Sequence, residues 1–108
     1  MLGPMNFRGG LPLLILQNLA QGPNHGYHIA QEIKQKSQGV LDFKEGTLYP
    51  TLHGLEGKGL ITSHERAENG RTRFYYELTE DGRKTLARER ADWRRVSGAF
   101  NLLLQEAT

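Results

Sequence analysis

Residues 44–78 read KEGTLYPTLHGLEGKGLITSHERAENGRTRFYYEL, and a change of period inside that stretch decides the fold. In its first half Leu48, Leu52 and Leu55 recur at spacings of four and three, so they share one face of a 3.6-residue period and predict a helix over residues 45–59. The opposite face carries Tyr49, Pro50, His53, Gly54 and Gly57, with Thr47 beside them at the N-terminal end. It lacks large charges and large aliphatics, which suits a surface that something approaches closely. Pro50 deletes a backbone donor and crowds the carbonyl four residues back, at a cost of roughly 3 kcal/mol. That carbonyl belongs to Gly46, whose missing side chain leaves the backbone room to adjust. A helix start of this kind is kept for function rather than stability.

Leu60 and Ile61 follow, and then the period changes. Thr62 to Arg66 is polar and extended in character, and Asn69-Gly70 suits the positive φ angles of a tight hairpin turn. Beyond it Phe74, Tyr76 and Leu78 alternate with Arg73, Tyr75 and Glu77, which predicts a strand with one buried face. A helix followed by a basic-tipped hairpin is the layout of a winged helix.

The rest of the chain is consistent with one small domain. Its 108 residues are 37% hydrophobic, enough for a modest core. The absence of cysteine removes disulfides, thiolate catalysis and cysteine zinc sites, and fits a reducing cytoplasm. The longest apolar run, Leu11 to Leu16, contains a proline and is too short to span a bilayer, and no secretory signal is visible, so a cytoplasmic protein without membrane contact is expected. Net charge is only +2, with a pI near 9.1, so the placement of the basic residues must decide what they bind.

Met1 to Gly10 reads as a mobile arm anchored by Met5 and Phe7. A first helix is predicted from Leu11 to Gln21, with Pro12 in its first turn, Leu13, Leu14, Leu16 and Leu19 largely buried, and Gly22-Pro23 as its stop. A second runs from His25 or Gly26 to Ser37, with Asn24 as N-cap and a buried stripe of Tyr27, Ala30 and Ile33, helped by Ile29. After the hairpin, Thr79 caps a fourth helix with Glu80 and Asp81 in its first turn. Trp93, Val96, Phe100, Leu103 and Ala107 follow at coiled-coil spacing, extended backward by Leu86, and such a narrow stripe predicts self-association. The fold expected is mainly α with a small β-hairpin. It comprises an arm (1–10), a winged helix-turn-helix (11–79) and a C-terminal dimerisation helix (80–108).

These residues resemble the PadR family of bacterial transcriptional regulators. The resemblance lies in His25-Gly26-Tyr27, in Glu45-Gly46-Thr47-Leu48-Tyr49-Pro50-Thr51-Leu52, in Leu55-Glu56 and Gly59-Leu60-Ile61, and in Arg71 to Thr79 with Gly82. It covers about Leu11 to Leu86, and the single helix after the wing is similar to the smaller PadR subgroup. It implies a homodimeric winged helix that binds double-stranded operator DNA, often as a repressor released by a small molecule. Gly54 and Gly57 depart from the family pattern, in which those positions are often charged, so fewer DNA contacts are expected from this helix.

Helix-turn-helix proteins place the N-terminal part of the third helix in the major groove, which nominates Thr47, Tyr49, Pro50 and His53 as DNA contacts, with Lys44 on a neighbouring phosphate. The plainer reading has Tyr49 packing on the wing and Thr47 capping. Arg66, Arg71 and Arg73 cluster around the hairpin tip and suit the DNA backbone or a minor groove, although Glu65 and Glu68 offset part of their charge. The bland alternative is a solvated tip. Phe7, Trp93, Val96, Phe100 and Leu103 are expected at the dimer seam. Trp93 either packs there or, paired across the two-fold axis, also holds a flat aromatic effector. His25 and His28 with Glu32 make a weak case for metal, and no residue grouping supports catalysis, so neither a cofactor nor an enzyme is expected. The competing reading is a winged-helix protein-interaction module without DNA binding.

Overall fold

The central helix α1 (Leu11–Leu19) is apolar on almost every side, and Leu11, Ile15, Leu16 and Leu19 are buried to 1% exposure or less. Pro12 occupies its first turn, where the missing donor is not needed. The computed structural model describes residues 8–105, and Arg8–Gly10 form one 3-10 turn ahead of α1. The helix stops two residues short of the expected Gln21. The amides of Gln21 and Gly22 bond three residues back, to Asn18 and Leu19, so the last turn tightens into 3-10 form.

A two-residue strand that periodicity does not reveal follows, β1 (Asn24–His25), and leads directly into α2 (Gly26–Lys36). The N-cap of α2 is His25 and not Asn24. His25 is extended and its Nδ1 accepts from the His28 amide at 3.4 Å. Asn24 is drawn into the sheet, where its Nδ2 donates to Asn18 at 3.0 Å and to Glu32 at 2.9 Å. Ile29 and Ile33 make the buried stripe, with Ala30 half-buried. Tyr27, expected in that stripe, is 59% exposed, because two positions from Ile29 is about 200° around a helix.

Ser37 to Lys44 carries the chain into α3 (Glu45–Gly57), passing the buried Phe43. The helix ends at Gly57 and not Gly59; the Leu60 amide reaches back to the Leu55 carbonyl at 3.0 Å and closes it. Leu48, Leu52 and Leu55 all point into the core, as their spacing predicts. Pro50 sits inside the helix, and one residue on, the Thr51 hydroxyl donates to the Thr47 carbonyl at 2.8 Å.

Strands β2 (Ile61–Glu68) and β3 (Arg71–Leu78) form the hairpin, and β1 pairs on the other edge of β3, so the antiparallel sheet has the order β1-β3-β2. Asn69 and Gly70 turn the chain at φ 48° and 76°, as their identity predicts. The expected alternation holds from Tyr76 to Leu78 but fails at the two residues before them. Phe74 is 54% exposed and Tyr75 only 8%. Tyr75 faces away from the core, but His25 meets it edge-on at 5.5 Å, His64 stacks at 6.3 Å, and the Arg66 guanidinium lies 4.2 Å over its ring. Side chains from β1 and β2 therefore bury it on the outer face.

Thr79 caps α4 (Glu80–Leu104), its hydroxyl accepting from the Gly82 amide at 3.0 Å and donating to the Gly59 carbonyl at 2.7 Å. Gly82 touches the backbone of the preceding junction so closely that a Cβ there would overlap the Leu60 carbonyl oxygen. Leu86 is the last buried residue of α4. From Ala87 to Gln105 every residue is exposed except the half-buried Ser97. No described helix is long and apolar enough to cross a membrane.

Candidate nucleic-acid interface

With its three leucines sealed, α3 leaves the opposite face open. Pro50, His53, Gly54 and Gly57 are exposed, and an added Cβ at Gly46, Gly54 or Gly57 would meet nothing within 4 Å. Thr47 and Tyr49 are half-buried. Tyr49 lies against the first turn of α2, where a Cβ on Gly26 would stand 2.8 Å from its hydroxyl, so the glycine admits the ring. Burial of the neighbouring Tyr76 pushes its phenol up, helped by Tyr49 and Glu56. Lys44 stands at the N-cap of α3 with its side chain 80% exposed and its Nζ 3.1 Å from Asp42, which also takes Lys34 at 3.6 Å. The Lys44 hydrogen bond leads in holding the Asp42 carboxyl below its ordinary range, against the effect of burial.

The wing arginines that the sequence groups together divide into two kinds. Arg66 and Arg73 face each other across the β2–β3 ladder. Arg66 covers Tyr75, and the half-buried Arg73 brings Nη1 to 3.3 and 3.5 Å of the two ring nitrogens of His25. Arg71 is exposed at the tip, opposite Glu68, whose carboxylate accepts from the Tyr75 hydroxyl. That bond, more than burial, raises the Tyr75 phenol. Among the described residues the Arg71 side chain has no hydrogen bond or ion pair.

His25 joins the wing to the helix-turn-helix. Its amide donates to Asn24 Oδ1 at 2.9 Å, and the same oxygen accepts from Nδ1 of His28, so Asn24 holds both histidines in place. Burial lowers the His25 pKa, and the nearby charges of Arg73 and His28 lower it further; Glu68 acts the other way. Burial pushes Glu32 up, but hydrogen bonds from Asn18 and Asn24 with the charges of His28 and Lys36 hold it below its ordinary range. No group of three or more potential ligand residues among the described residues is placed to hold a metal ion.

Tyr27, expected in a buried stripe, and Phe74, on the apolar side of its strand, stand on this same surface. For Tyr27 the signal was present, since Ile29 and Ile33 alone complete the stripe. For Phe74 it was weak: an eight-residue strand outruns the breadth of the helix beneath it, so the apolar face continues past the core.

On α4 the seam residues are open. Trp93 is 48% exposed, Val96 38%, Phe100 61% and Leu103 84%. Trp93 borders an apolar groove of about 590 Å³ with Leu13 and Leu14 of α1 and Val40 and Leu41 of the α2–α3 link. Phe7 and Ala107, expected at the seam, lie outside the described residues.

A family profile described as the transcriptional regulator PadR-like family matches residues 15–88. The chain is 40% identical over 83 residues to transcriptional regulator Rv3488 of Mycobacterium tuberculosis, covering 77% of this chain and 75% of that one. A transcriptional regulator from Clostridium thermocellum superposes with a TM-score of 0.84 at 31% identity, covering 91% of this chain and 96% of its own. A PadR family transcription regulator from Clostridium difficile does so with a TM-score of 0.80 at 32% identity, covering 90% and 100%. Sequence motifs, sheet order and backbone geometry thus agree: the chain is a transcriptional regulator with a winged-helix fold and belongs to the PadR-like family.

Proposed function

We propose that this regulator binds double-stranded operator DNA as a homodimer, acting in the cytoplasm as a repressor released by a small aromatic effector. The observation that carries the DNA reading is α3 itself. Its leucine face is sealed in the core, while the face bearing Pro50, His53, Gly54 and Gly57 lies open beside an arginine-tipped wing. In that arrangement Thr47, Tyr49, Pro50 and His53 meet the major groove, Lys44 a flanking phosphate, and Arg71 the backbone beyond. Arg66 and Arg73 also present charge to the DNA, although their first task is to cover Tyr75 and His25. Residues 11–79 make the DNA-reading unit, and 80–108 the dimerisation segment, whose helix α4 ends at Leu104. Trp93, Val96, Phe100 and Leu103 pack on a second copy. The groove under Trp93 supports the effector reading, since it is apolar and sized for a planar ring system.

The second reading, a protein-interaction module, is favoured by Gly54 and Gly57, which place no charge where a phosphate would lie. Fluorescence anisotropy with the promoter DNA flanking the chain's own gene separates the two. Submicromolar, sequence-selective binding is expected of the regulator; no binding even at low salt would establish the module.

A further inference from the structure

The wing meets α3 along a cleft of about 330 Å³. Tyr49 and His53 of α3 form one wall, Thr72, Arg73 and Phe74 of β3 the other, and the first turn of α2 closes one end. Alternation along β3 puts Phe74 on the same side of the sheet as Tyr76 and Leu78, yet it is 54% exposed against their 4% and 6%. It is a large apolar ring held open to solvent beside the face proposed to read DNA. The lining supplies donors from Tyr49, His53, Thr72 and Arg73 and includes no carboxylate, in a chain with 12 acidic residues. Glu65, across the ladder from Phe74, is not part of it. A cleft with cationic and hydroxyl donors around one apolar ring fits a polymer that alternates anionic groups with compact apolar ones. A DNA strand does this, with phosphates that accept hydrogen bonds and deoxyribose rings that present C–H surface.

We propose that this cleft seats one strand of the DNA backbone, with Phe74 packed on a deoxyribose and Thr72 and Arg73 on the flanking phosphates. The assignment rests on the DNA reading above and deepens it, adding a contact that is neither ionic nor base-specific. Such a contact releases no counterion, and this separates it from the arginine contacts.

The test is Phe74→Ala, titrated against operator and non-operator duplexes at several salt concentrations, beside wild type and Arg71→Ala. Binding is expected to weaken by about tenfold, the loss of one buried apolar ring, on both duplexes. The slope of log K against log salt stays that of wild type, and so does the thermal midpoint, because the ring is exposed in the free chain. Phe74→Leu, which keeps apolar surface, restores most of the affinity. Wild-type affinity in Phe74→Ala, or a flattened slope, would overturn the proposal while leaving DNA binding intact. If replacing thymine by uracil weakens the wild type to the level of Phe74→Ala, the ring reads thymine methyl groups and the sugar assignment falls. Failure of the wild type to bind any duplex removes both readings together.

Discussion

His25 does three things with one imidazole. It caps α2 through Nδ1, meets Tyr75 edge-on, and lies beside the Arg73 guanidinium. The cap and the Arg73 contact need the neutral ring, because a proton on Nδ1 removes the cap acceptor and places a new cation beside Arg73 and His28. The lowered pKa expresses this preference, with burial as its main cause. A depressed folded value means that His25 contributes its full stability above its ordinary pKa of about 6.5 and loses it as the pH falls through the folded value. The urea midpoint should therefore be lower at about pH 5 than at about pH 7.5. His25→Asn, a cap that does not titrate, should flatten the difference. If the acid loss persists undiminished in that variant, His25 is not its source. Glu32, held below the ordinary carboxylate range, acts in a separate window and loses its contribution only below about pH 4.

Among the elements, α3 gives up stability for the shape of its outer face. Gly54 is mid-helix and a Cβ there meets nothing in the chain, so Gly54→Ala should stabilise the fold by about 0.5–1 kcal/mol, read as a rise of a few degrees in Tm. An unchanged or lower Tm would mean the glycine serves the fold after all. On the wing, the contacts of the arginines separate their effects. Arg71→Ala should leave Tm unaltered and reduce the salt dependence of operator binding by about one unit of slope. Arg66→Ala uncovers Tyr75 and should lower Tm as well. Equal Tm losses in the two variants would contradict the division drawn from their contacts.

At this scale the sequence was readable wherever a residue's environment depends on its own element. Leu48, Leu52 and Leu55 announce a helix face, Asn69-Gly70 a turn and Thr79 a cap, and each is found. It was not readable where the environment comes from elsewhere. Tyr75 is buried by His25, His64 and Arg66, none of them on its strand, and β1 is too short to have a period. The candidate face was legible in position, through Pro50, His53 and the wing arginines. The roles of Arg66 and Arg73 were not, because both depend on a ladder register that spacing alone does not give.

For the whole molecule, the decisive fact is that α4 leaves the domain after Leu86 with its apolar stripe uncovered. Each large side chain on that stripe gains on the order of 1.5–3 kcal/mol when covered, and a second copy offers the matching stripe. Phe100→Asp should yield a monomer in sedimentation at concentrations where the wild type is a dimer, and operator affinity should fall with it. A dimer that survives the aspartate places the interface elsewhere.

The packing of Gly82 on the Leu60 carbonyl then acquires a mechanical meaning. Thr79 and Gly82 tie the first turn of α4 to the α3–β2 junction at van der Waals distance, so the helix behaves as a lever clamped at one end. Its 25 residues span about 37 Å, and a rotation of about 5° at the clamp moves the far end by about 3 Å. In the proposed dimer that displacement passes straight into the separation of the two recognition helices. A side chain at position 82, which would overlap the Leu60 carbonyl, should therefore lower Tm and shift the preferred half-site spacing together.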